Sequence, residues 1–279
     1  MKLKTVFTLL MISCTLFAQE KDSTLNKWTP SAVVGFNISQ LSLSNWSQGG
    51  ENSLTWTLTG DVSYNYKSED YEFKNNLKLA YGRTKLGSDD FKTNDNDLYL
   101  ESVISKNVGW AVNPYFSNTV RTSITTGYNY DTTPKTEIVN LFDPGYFTQS
   151  LGFYYEPNKK FNTRLGLAVE EVFTSNNTQY ADDPTTINIE KTKVDAGLES
   201  ITAIEQEIAE NLLLKSKLRL FTRFNNIDVW DVRWDNTIVA KINDFMNVNF
   251  TFLLVYQEDQ SLKVQIKQGL QIGFLYRIL

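Results

Sequence analysis

The chain reads as an all-β protein, an antiparallel up-and-down transmembrane β-barrel of about 12 strands, and three observations support that expectation. From Ser31 onward, strand-length segments with a two-residue apolar period follow one another, with no Pro-, Gly- or Ser-rich linker between them. Their connections alternate between short and long, the asymmetry of bacterial outer-membrane barrels, whose periplasmic turns are tight and extracellular loops longer. The N-terminus has the layout of an export signal, with Lys2 and Lys4, a mainly apolar Thr5 to Phe17, and Leu16, Phe17 and Ala18 before Gln19.

Taken in order, residues 1–18 are expected to be a cleaved signal peptide, 19–30 a polar periplasmic lead-in and 31–279 the barrel. An alternative lipoprotein signal would use Met11, Ile12, Ser13 and Cys14, although the apolar run before that cysteine is very short. No run approaches the roughly 18 apolar residues of a transmembrane helix. The first expected strand is Ser31 to Gln40. The second, Ser53 to Lys67, sets Leu54, Trp56, Leu58, Val62, Tyr64 and Tyr66 against Thr55, Thr57, Thr59, Asp61, Ser63 and Asn65. Tyr71 to Leu86, Asp97 to Lys106, Trp110 to Thr125, Tyr146 to Glu156 and Phe161 to Thr174 follow. Thr192 to Ile208, Leu212 to Phe224 and Val229 to Ile242 complete the tenth. The eleventh, Met246 to Gln257, sets Met246, Val248, Phe250, Phe252, Leu254 and Tyr256 against Asn247, Asn249, Thr251 and Gln257. The twelfth, Ser261 to Leu279, carries an apolar face from Leu262 to Ile278 broken only by Gln268, opposite Lys263, Gln265, Lys267, Gly269, Gln271, Gly273 and Arg277. That span exceeds the roughly 9 to 11 residues a tilted transmembrane strand requires.

Short links fall at Ser68–Asp70, Asn107–Gly109, Pro157–Lys160, Ala209–Asn211 and Asn243–Phe245. Between them fall longer or polar ones at Leu41–Asn52, Gly87–Asn96, Thr126–Gly145, Ser175–Lys191 and Asn225–Asp228, with a short one near Glu258. An even strand count returns both termini to the periplasm. Trp28, Trp46, Trp110, Trp230, Tyr71, Tyr81, Tyr146 and Tyr256 lie near strand ends, where such barrels keep aromatic girdles facing outer-membrane lipid.

Composition narrows the function classes. The signal segment carries two lysines and no acid, so its removal takes the formal charge from -5 to -7. An acidic chain with no basic tract offers nothing to nucleic acid. The sequence has no histidine, which removes histidine triads, histidine-ligated metals and the commonest general base. Cys14 is the only cysteine, so the mature chain is expected to form no disulfide. No cofactor motif is present. Asp95 with Asp97, and Asp182 with Asp183, offer too few oxygen ligands for a calcium loop and read as solvated loop acids.

Twelve strands enclose an interior too wide for aliphatic packing, which directs the polar face inward. The faces assigned to the lumen carry opposing charges: Asp195, Glu199, Glu205 and Glu207 on the eighth strand, and Lys215, Lys217, Arg219 and Arg223 on the ninth. Asp231, Arg233, Asp235 and Lys241 follow on the tenth, and Lys263, Lys267 and Arg277 on the twelfth. Two readings stand, a self-neutralising lattice that stiffens the wall and narrows the lumen, or a selectivity surface for a charged solute.

Near the C-terminus, Gln271, Gly273, Tyr276 and Ile278 resemble the β-signal read by the barrel-assembly machinery, although Leu279 stands where many barrels end on an aromatic. Trp46, Ser47, Gln48, Gly49, Gly50 and Asn52 form the most distinctive cluster, and the paired glycines suit a tight bend with positive φ. With Asn75 to Gly82, Leu214 to Leu220 and the C-terminus, that cluster resembles an uncharacterised outer-membrane family typical of Bacteroidetes, in which an Asn-Trp-x-x-Gly-Gly element precedes the second strand. The resemblance implies a barrel and no reaction. The expectation is therefore a Gram-negative outer-membrane protein, a narrow channel or structural envelope component of unspecified solute. The alternatives are a partner-binding scaffold, or an enzyme using a carboxylate pair such as Glu199 and Glu205.

Overall fold

The computed structural model describes residues 25–45 and 47–279; the expected signal segment, Cys14 and Trp46 lie outside the described residues. The strands are β1 (Lys27–Leu41), β2 (Ser53–Lys67), β3 (Tyr71–Leu86), β4 (Lys92–Lys106), β5 (Asn113–Thr122), β6 (Gly127–Asn129) and β7 (Thr136–Val139). They continue as β8 (Gly145–Asn158), β9 (Phe161–Phe173), β10 (Thr192–Ala209), β11 (Leu212–Arg223), β12 (Asn226–Lys241), β13 (Met246–Gln257) and β14 (Ser261–Arg277). Twelve of them close into one barrel in which every neighbour is antiparallel and sequential, while β6 and β7 form a separate hairpin in the loop between β5 and β8. The expected architecture is the one observed.

Several boundaries move for identifiable reasons. β1 starts at Lys27, inside the expected lead-in, because Lys27 to Pro30 pair with Lys67 to Tyr64. β4 starts at Lys92, where the sequence suggested a polar loop, because Lys92 and Thr93 pair with Thr84 and Arg83 past a bulge at Gly82. β5 stops at Thr122, short of the expected Thr125. There the Asn96 carboxamide takes over from the ladder: its Oδ1 accepts the N–H groups of Ile124 and Thr125, both at 2.9 Å.

Side chains alternate across the wall as the pleat requires. Ser117, Thr148, Ser150, Glu170 and Glu199 are buried inside, whereas Leu151, Leu165 and Leu167 on the outside are 60%, 59% and 60% exposed. The seam between first and last strand is short. Six residue pairs join β1 to β14, Val33–Ile38 against Arg277–Ile272, whereas fifteen join β1 to β2. The Ile278 N–H donates to Ala32 O and the Leu275 N–H to Phe245 O, so even-numbered residues of β14 direct their backbone toward β1 and odd-numbered ones toward β13. Above Ile272 the even-numbered residues Leu262 to Leu270 have no strand on that side.

Candidate functional site

The interior is organised around three hubs of ion pairs. On β4 the inward face reads Asp95, Asp97, Tyr99, Glu101, a period-two run of acceptors. Glu101 accepts from Arg164 Nη2 at 2.6 Å, from Lys217 Nζ at 2.9 and 3.1 Å, and from the Tyr99 hydroxyl at 2.8 Å. Four strands lie between β4 and β11 on the shorter side of the barrel, so the Lys217 contact crosses the lumen. In the second hub Arg219 donates to Glu199 at 2.7 Å and Glu170 at 2.6 Å, with Thr148 Oγ1 donating to Glu170 at 3.0 Å. The third stands at the long-loop end, where Arg223 meets Asp195 at 2.8 Å, Asp231 at 3.0 Å and Asp259 at 2.6 Å, and Lys193 meets Asp259 at 2.7 Å.

Between the first two hubs, Arg233 meets Asp235 at 3.0 Å and Asp97 at 3.9 Å, and Arg121 meets Asp97 at 3.5 Å. β12 and β4 stand diametrically opposed in the strand order, so the Arg233–Asp97 pair spans the full lumen. The mid-barrel belt thus contains five cations (Arg121, Arg164, Lys217, Arg219, Arg233) and five carboxylates (Asp97, Glu101, Glu170, Glu199, Asp235), and its formal charge is zero. Buried ions persist only when paired in this way.

Local packing makes room for the belt. Gly152 of β8 and Gly166 of β9 face each other in register. A Cβ on Gly166 would stand 2.6 Å from the Tyr115 hydroxyl, so that glycine is what lets the buried Tyr115 lie across the strand and exchange a 2.7 Å hydrogen bond with Ser150.

The opposite wall is built differently. Gly273 of β14 sits beneath three asparagine side chains, Asn37, Asn247 and Asn249, and a Cβ there would meet their amide atoms at 2.2 to 2.6 Å. Asn249 Nδ2 donates to Asn37 at 2.8 Å and to Asn247 at 3.0 Å. Between this amide wall and the belt lies a cavity of about 1850 Å³, lined by Thr59, Thr237, Thr251, Gln265 and Gln271 beside the asparagines, and by charged residues outside the belt that include Asp61, Lys78, Glu205, Lys215 and Lys241. Its lining extends from Lys160 and Asn243 at the short-turn end to Tyr256 and Gln260 at the other.

Over the long-loop end, Asp143 clasps two loops together. Its buried carboxylate accepts from the N–H groups of Ser175 (2.7 Å), Asn176 (2.9 Å) and Asn177 (3.2 Å) and from Asn177 Nδ2 (3.1 Å). Burial alone would raise its pKa, but these donors outweigh it and hold the carboxyl below the ordinary aspartate value.

Among the residues expected in the lumen lattice, Glu205 pairs with Lys215 at 3.0 Å, Lys241 with Asp244 at 2.7 Å, and Lys267 with Asp95. Glu207, Lys263 and Arg277 make no ion pair among the described residues. Asp95 and Asp97 are corrected from solvated loop acids to inward residues of β4. Asp182 and Asp183 stay in a loop, where Asp182 accepts from the Glu190 N–H at 3.0 Å and Asp183 from the Thr185 N–H at 2.9 Å. No group of three or more metal-ligating side chains occurs among the described residues. Glu199 and Glu205, weighed as a catalytic pair, stand six residues apart on one strand, roughly 20 Å. Sequence reasoning missed Glu101, Arg164, Glu170, Asp97 and Arg121, although the alternation of Asp95, Asp97, Tyr99 and Glu101 was a readable signal. Gln271 and Gly273 of the assembly signal face inward, while Tyr276 is exposed outside. Gly49 and Gly50 take φ of 83° and 113°, as a tight bend requires.

Residues 38–128 match the model of a family described as a protein of unknown function (DUF3078). No curated protein matches the chain. Among solved structures, an outer membrane channel from Pseudomonas putida F1 is 13% identical over 94% of this chain and 99% of its own, with a TM-score of 0.41. The translocator domain of the autotransporter NalP from Neisseria meningitidis is 10% identical over 90% and 88%, with a TM-score of 0.38. OmpF of Salmonella typhi is 9% identical over 91% and 98%, with a TM-score of 0.29.

Proposed function

We propose that the chain is an outer-membrane barrel that conducts small uncharged polar solutes through a narrow lumen. The observation that carries this reading is the division of the interior: the belt spends its charges on itself, and the wall across the cavity from it presents carboxamides and hydroxyls. An ion entering that space meets cations and carboxylates of mixed sign rather than a ring of one sign, whereas a hydroxylated neutral solute exchanges its water contacts for Asn37, Thr59, Thr251 and Gln271. Membrane placement is supported by the outward face, where Leu151, Phe153, Leu165 and Leu167 are each more than half exposed. Water tolerates apolar surface on that scale poorly, and hydrocarbon solvates it. Both termini and the short turns then face the periplasm, with the Asp143-clasped loops outside.

Proteoliposome swelling tests the reading. Vesicles holding the purified chain should swell in neutral monosaccharides and more slowly in lysine or glutamate salts, and planar bilayers should show a small conductance with little preference between cations and anions. Strong ion selectivity would overturn the solute class. Silence in both assays would overturn conduction and favour a structural or partner-binding envelope role.

A further inference from the structure

The outer wall carries a polar row where lipid would be expected. Asn75, Ser102, Asn118 and Gln149 are successive register partners across β3, β4, β5 and β8, one residue on each of four adjacent strands. Alternation places all four outside: Ser117 and Thr119 flank Asn118 and are buried inside, as Thr148 and Ser150 are around Gln149. The row is half satisfied. Ser102 Oγ donates to Asn75 Oδ1 at 2.8 Å, and Asn75 Nδ2 donates to Tyr64 O at 2.9 Å. The carboxamides of Asn118 and Gln149 have no hydrogen-bond partner among the described residues. They stand among the exposed apolar side chains Leu100, Phe116 and Leu151.

Elsewhere on the wall, outward polar groups either close on themselves or, like Ser200, Glu171 and Gln268, stand singly beside apolar register partners rather than in a row. Thr163 and Thr202 share a 2.8 Å hydrogen bond, and Ser216 bonds Asn236 at 2.8 Å while accepting from Trp234 Nε1 at 3.0 Å. Hydrocarbon offers Asn118 and Gln149 neither donor nor acceptor. A primary carboxamide carries both, so its natural complement is another carboxamide. The row also holds no charge that would select a partner of opposite sign.

We propose that the β3–β4–β5–β8 face is an interface with a second copy of this chain in the membrane. Two such faces meeting about a two-fold axis pair Asn118 of each copy with Gln149 of the other, and Phe116 and Leu151 pack around them. The inference rests on this wall facing lipid, as the proposed location requires.

Single-cysteine crosslinking in outer-membrane vesicles tests it, because the sequence holds no cysteine besides Cys14. A short bismaleimide, which bridges the diagonal between the two Asn118 positions that a direct disulfide would not, should link Asn118→Cys into a dimer of twice the monomer mass, while Val62→Cys on β2 and the wild-type chain give no linked product. The double variant Asn118→Leu with Gln149→Leu should lose the native dimer in mild detergent yet keep the heat-dependent gel shift of a folded barrel. A folded wild-type monomer in the membrane, equal linking at position 62, or a product of unequal mass at position 118 would each overturn the second-copy interface. Recovery of the wild-type chain outside the membrane fraction would overturn the underlying location and the interface with it.

Discussion

Replacing Glu101 by Gln should cost more stability than any exposed ion pair of this chain. Glu101 is the carboxylate on which Arg164, Lys217 and Tyr99 converge, and Arg164 is only 6% exposed. Breaking a buried pair strands the remaining charge, at about 3 to 5 kcal/mol. Glutamine keeps one acceptor oxygen in place, which puts the expectation near the lower bound, about 3 kcal/mol. Glu205→Gln supplies the internal comparison: the Lys215–Glu205 pair has a similar 3.0 Å separation, but both side chains are about half exposed. Water screens that pair, and its removal should cost about 0 to 1 kcal/mol. Urea unfolding in detergent micelles, followed by tryptophan fluorescence, gives both values on one scale. If Glu101→Gln falls within the range of Glu205→Gln, the lumen belt is solvated and labile, and the argument from buried pairing fails. The same substitution leaves the belt with one excess cation, so single-channel currents should shift toward anions.

Two further consequences concern the loops and the closing strand. The lowered pKa of Asp143 means that its clasp is complete above the unfolded-state value of about 3.9 and is lost as pH falls through the folded-state value below it. Amide exchange at Ser175, Asn176 and Asn177, corrected for intrinsic rates, should therefore accelerate in acid, and Asp143→Asn should produce that acceleration at neutral pH; unchanged protection in the variant would exclude the carboxylate as the clasp. On β14 the backbone parity predicts an alternating proline response: Ile266→Pro removes an N–H that has no partner strand, whereas Gln265→Pro removes one that bonds to β13. Thermal unfolding should show the Gln265 variant as the less stable of the two, and the reverse order would mean that β14 is paired on its other edge.

The strands were legible because a half-buried pleat writes itself into every second residue. Ser53–Lys67, Tyr71–Leu86 and Met246–Gln257 have the bounds that the alternation alone implied. β5 departed from expectation where a side chain, Asn96, replaced the ladder, and no period reports such a substitution. The charged interior was legible as a face but not as a set of pairs. Cross-strand neighbours such as Glu205 and Lys215 follow from adjacency, and sequence order supplies adjacency in an up-and-down barrel. Glu101 and Lys217 are 116 residues apart and meet only because closure brings β4 opposite β11. The outward row from Asn75 to Gln149 lies at the same limit. Each of its residues looks like a stray polar side chain on its own strand, and only the register of four strands makes them one surface. In a barrel, therefore, period two separates lipid from lumen, while what either face recognises depends on stagger. Stagger is set by bulges such as those at Gly82 and Thr222, whose backbone geometry no alternation encodes.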